Sequence, residues 1–161
     1  MDKKIPIWRL HNEFMGGPYA GKGNIYDYIA AHAESNKRLM AKRPVPWKDE
    51  GLSQHFQNFA EFRVRTDLVS GFKGLSAYSR WFSSGEFQNA CDATGFFLTR
   101  YRVDAEDVIL GDKQVLFKPD SAVITAFRRC NQPGVMQTRA DVHHKPIMRF
   151  LKNTDLACDM T

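Results

Sequence analysis

The stretch from Phe96 to Arg129 limits the possible folds more than any other part of the chain. "FFLTRYRV" (Phe96 to Val103) alternates strictly. Its period of two predicts a strand with Phe97, Thr99, Tyr101 and Val103 on one face and Phe96, Leu98, Arg100 and Arg102 on the other. After the acidic turn "DAED", the run "VILGDKQVLFKPDSAVITAFRR" predicts two or three β segments, punctuated by Gly111-Asp112 and Pro119-Asp120. Both pairs are turn signals, and strands joined by such tight turns pair antiparallel.

The first half reads differently. "IPIWRLHNEF" (Ile5 to Phe14) has the β-branched and aromatic content of a first strand before a glycine turn. Asn24 then N-caps a helix with Ile25, Tyr28, Ile29 and His32 on one face, ending near Pro44 and Pro46. "RPVPWKDEGLSQHF" reads as an extended surface loop anchored by Trp47, and Phe62 to Val64 as a strand. Two short helices follow, broken at Ser83 to Gly85. Leu75, Tyr78, Trp81 and Phe82 recur at the spacing of a core-facing helix. The pattern predicts an α+β single domain over 1–161, with a mainly antiparallel and possible split sheet flanked by helices. Residues 131–161 read as a peripheral or mobile tail, with a short helix at Ile147 to Leu151.

With 43% apolar and 25% charged residues, the 161-residue chain has ample material for one core. Its net charge of +5 favours an acidic partner. No apolar run approaches the length of a membrane span or a secretory signal, so the expected location is cytoplasmic. Cys91, Cys130 and Cys158 are widely separated, and His143 and His144 are consecutive. This spacing predicts free thiols and no metal site.

One segment carries a family resemblance. "GDKQVLFKPDSAVI" (Gly111 to Ile124) resembles the late strand of ADP-ribosyltransferase-like domains, in which an acidic residue opens a segment of the form E-V-L-hydrophobic-x-P. "WRLH" offers Arg9 and His11 where that family has an Arg or His contacting NAD at the end of its first strand. The resemblance implies a cleft for NAD or a related nucleotide, with Arg9 on the phosphates, Tyr19 or Trp81 stacking on a ring, and Gln114 at the catalytic position. Gln114 stands in place of the catalytic Glu. An amide keeps a hydrogen bond to ribose but brings no charge to the transition state, so the resemblance implies binding more than turnover. Asp112, two residues earlier, compensates for the missing charge only if the strand register puts it on the same face, which the period of two permits. The family's middle Ser-Thr-Ser element has no counterpart in the sequence, where Ser76 and Ser79 fall in a helix. The combination of "WRLHNE", "GPY", "GFKGLSAYSRWF" and "DKQVLF" is also similar to small bacteriophage proteins, which implies an accessory role on host processes in the host cytoplasm.

Two other classes compete with this reading. Arg100 and Arg102 on one strand face, with Arg128 and Arg129, suit a basic module binding nucleic acid or a host protein. Hydrolysis by His11, His55, Cys91 or Ser76 has no nucleophile motif behind it.

"GGPYAGKGNIYDY" (Gly16 to Tyr28) comes within one residue of a phosphate-binding loop. Gly23 stands where a magnesium-binding hydroxyl is required, and Pro18 removes one N–H from the cradle. A glycine-rich turn accounts for the same residues. Lys22→Ala is accordingly expected to leave any ATP binding unchanged in a calorimetric titration with magnesium. Loss of tight binding would restore the phosphate loop.

Overall fold

Strand β1 (Lys4–His11) is buried on both faces from Ile7 to His11, because a second sheet packs on one face and helices on the other. The computed structural model describes residues 3–12, 16–18, 44–130 and 137–143. Along one edge β1 pairs antiparallel with β3 (Phe97–Asp104), from Lys4 opposite Asp104 to His11 opposite Phe97. β3 pairs with β6 (Val123–Arg128), and β6 with β7 (Gln137–His143), which gives the order β1-β3-β6-β7. β7 lies within the stretch expected to form a tail. A second sheet has the order β2-β5-β4, from β2 (Val69–Gly71), β4 (Val108–Leu110) and β5 (Val115–Phe117). All the pairings are antiparallel, so the expected α+β fold with a split sheet is observed.

The two sheets are joined at one point on the other edge of β1. The Trp8 N–H donates to the Phe72 carbonyl at 2.8 Å, and the Phe72 N–H donates to the Trp8 carbonyl at 2.7 Å. Gly71 permits this approach, since a Cβ there would lie 2.6 Å from Ile7 Cγ2 and 2.9 Å from the Trp8 carbonyl oxygen. Between the sheets, Ile7, Phe97, Tyr101 and Val103 pack with Val115, Phe117 and Ile124. The opposite face of β1 and β3, at Trp8, Leu10 and Leu98, is covered by Tyr78, Trp81, Phe82, Phe87 and Cys91. These come from α2 (Leu75–Trp81), α3 (Gly85–Ala93) and the residue that follows α2. The break between these helices falls where the sequence predicts it. Ser84 caps α3 by accepting from the Phe87 N–H, and Gly95, at φ +85°, turns the chain into β3. Leu75, expected in the core with Tyr78 and Trp81, is exposed.

Two expectations are corrected. Phe59–Arg63 is a helix (α1), not a strand at Phe62 to Val64. The Asn58 side chain accepts from the Glu61 N–H at 3.1 Å and Glu61 accepts from the Gln57 N–H at 2.9 Å, so local capping outweighs the β-like composition. The segment from Pro44 to Phe56 is not extended. Pro46–Lys48 forms a 3-10 turn, and helical turns through Ser53 and Phe56 follow. They carry Leu52 and Phe56 onto Leu116, on the outer face of the second sheet. Trp47 does serve as an anchor, packing on Phe59 and Phe62. The helix expected from Asn24, the residues from Tyr19 to Gly23 and the helix expected at Ile147 to Leu151 lie outside the described residues.

A buried carboxylate fixes the β4–β5 hairpin. Asp49 Oδ1 accepts from the N–H groups of Gly51 at 3.0 Å and Asp112 at 2.6 Å, and Oδ2 from those of Lys113 at 2.8 Å and Gln114 at 3.3 Å. Asp49 is 1% exposed. Gly111 is required beside it, because a Cβ there would collide with the Gln114 carbonyl oxygen and lie 2.8 Å from Asp49 Oδ1. Asp49→Ala strands buried donors, so it is expected to lower stability by on the order of 3 kcal/mol. The check is a fall in the urea midpoint at unchanged m-value.

Candidate functional site

Arg9 and His11 lie two residues apart on β1 and so share the face that looks into the inter-sheet core. Arg9 is 7% exposed. Its Nη1 donates to the Ser70 carbonyl at 2.5 Å and to Ser70 Oγ at 3.4 Å. The glycine turn after β1 closes over the guanidinium. The Asn12 N–H donates to the Gly16 carbonyl, the Gly16 N–H donates to Asn12 Oδ1, and a Cβ at Gly17 would stand 3.6 Å from Arg9 Nη2. Burial lowers the guanidinium pKa to about 10, opposed by the nearby Tyr101 phenol.

His11 is fully buried. Its Nδ1 lies 2.8 Å from the Asn12 carbonyl oxygen, which can only accept, so Nδ1 carries the proton. Nε2 is thereby left to accept from the Tyr101 hydroxyl at 2.9 Å. Burial pushes the Tyr101 phenol above its ordinary range, with Arg9 pulling the other way. The result is a buried polar chain, Asn12–His11–Tyr101, beside a buried cation.

Ser70 extends this chemistry to the second sheet. It is exposed, although its carbonyl and hydroxyl accept from buried Arg9. Across β2 and β5, Ser70 stands opposite Leu116, and Gln114 precedes Leu116 by two residues. Gln114 lies immediately before β5, where its backbone carbonyl accepts from the Gly111 N–H across the hairpin. Gln114 is 6% exposed, and its Nε2 donates to the Pro44 carbonyl at 2.6 Å. Its Oε1 accepts no hydrogen bond among the described residues. Asp112 sits in the exposed hairpin turn beside Lys113, off the strand, so it does not share the register of Gln114.

The remaining expected residues fall elsewhere. Trp81 packs in the helix-side core against Phe72, with ring centroids 5.4 Å apart, on the face of β1 opposite to Arg9. Tyr19 lies outside the described residues. Ser76 and Ser79 are exposed on α2, as expected for helix positions. The serine that sequence reasoning passed over is Ser70. Its one signal is a small polar residue between Val69 and Gly71 in a segment too short to show periodicity.

The arginines divide in two. Arg102 is exposed and Arg100 half-buried on the same face of β3. Arg128 folds back, its Nη1 donating to the carbonyls of Arg129 and Cys130. Arg129 follows β6 and has a buried Nε without a hydrogen-bond partner among the described residues. No catalytic cluster forms from His11, His55, Cys91 and Ser76. His11 is in the inter-sheet core, Cys91 in the helix-side core, and His55 and Ser76 at the surface. Among the described residues no three His, Cys, Asp or Glu side chains converge as metal ligands, and no helix is long and apolar enough to cross a membrane.

The model of the bacteriophage T4 Y00F protein family matches residues 1–131, and the chain belongs to that family. The expected kinship with phage proteins is thus found. No curated protein and no solved structure matches the chain.

The buried phenols make stability pH-dependent at the alkaline end. Desolvation raises both Tyr78 and Tyr101 above the ordinary value of 10.0, so above that pH only the unfolded chain ionises and stability falls. Arg9 acts oppositely. Between about 10 and its ordinary 12.5 only the unfolded chain keeps that proton, so stability rises. The Cys130 thiol, raised by burial above its ordinary 9.0, adds a third loss, so three losses against one gain leave a net fall on the order of 3 kcal/mol per pH unit above pH 10. The Tyr78 hydroxyl makes no hydrogen bond among the described residues. Tyr78→Phe is therefore expected to leave neutral stability nearly unchanged and to flatten the alkaline fall, read from urea midpoints between about pH 8 and pH 12.

Proposed function

We propose that this phage protein binds NAD, ADP-ribose or a related nucleotide where β1, β2 and β5 meet, in the manner of an ADP-ribosyltransferase-like domain, and turns NAD over slowly or not at all. The observation that carries the reading is the contact of Arg9 Nη1 with Ser70. It couples the arginine of the first strand to a serine on β2, and β2 pairs with β5, which Gln114 immediately precedes. Arg9 on β1, Ser70 on β2 and Gln114 just before β5 thus lie on adjoining segments, which supports a shared site.

Each residue has a role in this reading. The Arg9 guanidinium, held under the glycine turn, supplies fixed positive charge to the phosphates. Exposed Ser70 offers its hydroxyl beside that charge. Gln114 Oε1 accepts from a ribose hydroxyl while Nε2 stays on Pro44. Trp81 has no part, since it is core. A neutral amide forgoes the stabilisation of the positive charge that develops as the glycosidic bond breaks. Losing one preorganised electrostatic contact costs roughly 3 to 4 kcal/mol, about a hundred- to a thousandfold in rate. The protein then acts on host processes through the nucleotide it holds rather than through fast transfer.

Calorimetric titration of NAD and ADP-ribose is expected to show weak binding, reduced roughly tenfold in Ser70→Ala, a surface change that spares the core. Nicotinamide release by the wild type is expected to be slow or absent. Gln114→Glu is expected to raise it, provided its stability is measured alongside, because a carboxylate cannot donate to the Pro44 carbonyl as the amide does. Rapid turnover by the wild type contradicts the catalytic half of the reading, and absence of nucleotide binding at low and moderate salt removes the ligand.

A further inference from the structure

The strand β3 carries a second polar face, on the side of the sheet away from Arg9. The β1–β3 register sets Trp8 opposite Arg100 and Pro6 opposite Arg102. These alternate with Ile7, Tyr101 and Val103, which fill the inter-sheet core. Helices α2 and α3 cover this face at Leu10, Leu98 and Trp8. The cover ends there, because Pro6 and Arg102 are exposed and Arg100 is half-buried.

Arg100 is unlike a freely solvated surface arginine. Its Nε donates to Thr125 Oγ1 at 2.9 Å, and its guanidinium carbon sits 5.6 Å from the Trp8 ring centroid. Both contacts hold the cation in place, while its two terminal amino groups make no hydrogen bond among the described residues. Arg102 forms no ion pair among the described residues. The charges at the end of the strands cancel, since Lys4 pairs with Asp104 at 2.6 Å. Two uncompensated guanidinium groups therefore stand on one face, separated along the strand by about 6.7 Å. That spacing is comparable to the distance between successive phosphates of an extended nucleic-acid strand.

We propose that this face, centred on Arg100 and Arg102 with Thr125 and Trp8 behind Arg100, binds the phosphate backbone of a nucleic acid. Charge complementarity selects the partner: a net charge of +5 for the chain and two aligned, partly immobilised forks suit a regularly spaced polyanion. Trp8 is only 8% exposed, so it braces Arg100 and does not stack on a base. The contacts therefore fall on phosphate, and binding is tolerant of sequence and steeply weakened by salt.

The test uses the full chain and fluorescence anisotropy with a labelled mixed-sequence oligonucleotide, single-stranded and duplex, over a salt series. The expected result is binding at low salt. Arg102→Gln, an exposed change, is expected to reduce the log–log salt slope by about 0.7 on the single strand and about 0.9 on the duplex, and Arg100→Gln with Arg102→Gln by about twice that. Arg100→Lys with Arg102→Lys is expected to keep most of the slope. Arg65→Gln, at an exposed arginine paired with Asp67, is expected to leave it unchanged. Absence of binding at low salt overturns the proposal. A slope indifferent to Arg102→Gln also overturns it, and leaves the face as a protein-binding or solubilising surface. Excess NAD is expected to have no effect on oligonucleotide binding; competition would move the contact to the Arg9 site and overturn the assignment. Ser70→Ala, which weakens the proposed nucleotide site, should leave oligonucleotide affinity intact, so either proposal can fail without the other.

Discussion

The two backbone hydrogen bonds between Trp8 and Phe72 tie the edge of one sheet to the start of the other, and the rest of the molecule is arranged around that junction. The two faces of β1 are buried under different layers. Ile7, Arg9 and His11 meet the second sheet and Trp8 and Leu10 meet the helices. Polar side chains on the first face must then find partners inside the protein, since an unpaired buried donor costs about 1 to 3 kcal/mol. Arg9 finds Ser70, and His11 finds Asn12 and Tyr101. The junction also demands a residue without a side chain on β2, and Gly71 supplies it.

The second sheet depends on a different interaction. Its hairpin has a two-residue turn whose N–H groups point at one carboxylate, that of Asp49, from a segment far away in sequence. The same segment presents the Pro44 carbonyl to the Gln114 side chain. Gln114 thus has a structural reason to be an amide: it donates to a carbonyl, which an ionised Glu cannot do. Gln114 is in this way tied into the scaffold.

Much of the fold was legible. The alternation in "FFLTRYRV" and the Gly111-Asp112 and Pro119-Asp120 turns correspond to β3 and to the breaks between β4, β5 and β6. The two-helix reading of Leu75 to Ala93 also holds. Reading failed where short-range capping decided the outcome, as at Asn58 and Glu61, and where burial was set by distant contacts, as at Asp49. Of the candidate site, Arg9 and His11 were singled out by the resemblance, and the period of β1 sets them on one face. Ser70 was not, because a three-residue strand offers no pattern to read. Trp81 was ambiguous between site and core, and its partner Phe72 settles that it packs in the core.

The sequence by itself determined the local rules: which residues alternate, where turns fall, and that Arg100 and Arg102 must share a face. Those depend on periods and turn chemistry that act within a few residues. The tertiary structure alone decided which of those faces meet. Arg9 touches Ser70, sixty-one residues away, and Asp49 organises a turn more than sixty residues downstream. Arg100 is braced by a tryptophan from β1 and a threonine from β6, while Arg128, of the same residue type, folds back on its own chain. The physical reason is that burial and hydrogen-bond pairing are properties of the packed chain. A residue's type fixes what it can donate or accept, and only the packing of the sheets fixes from whom.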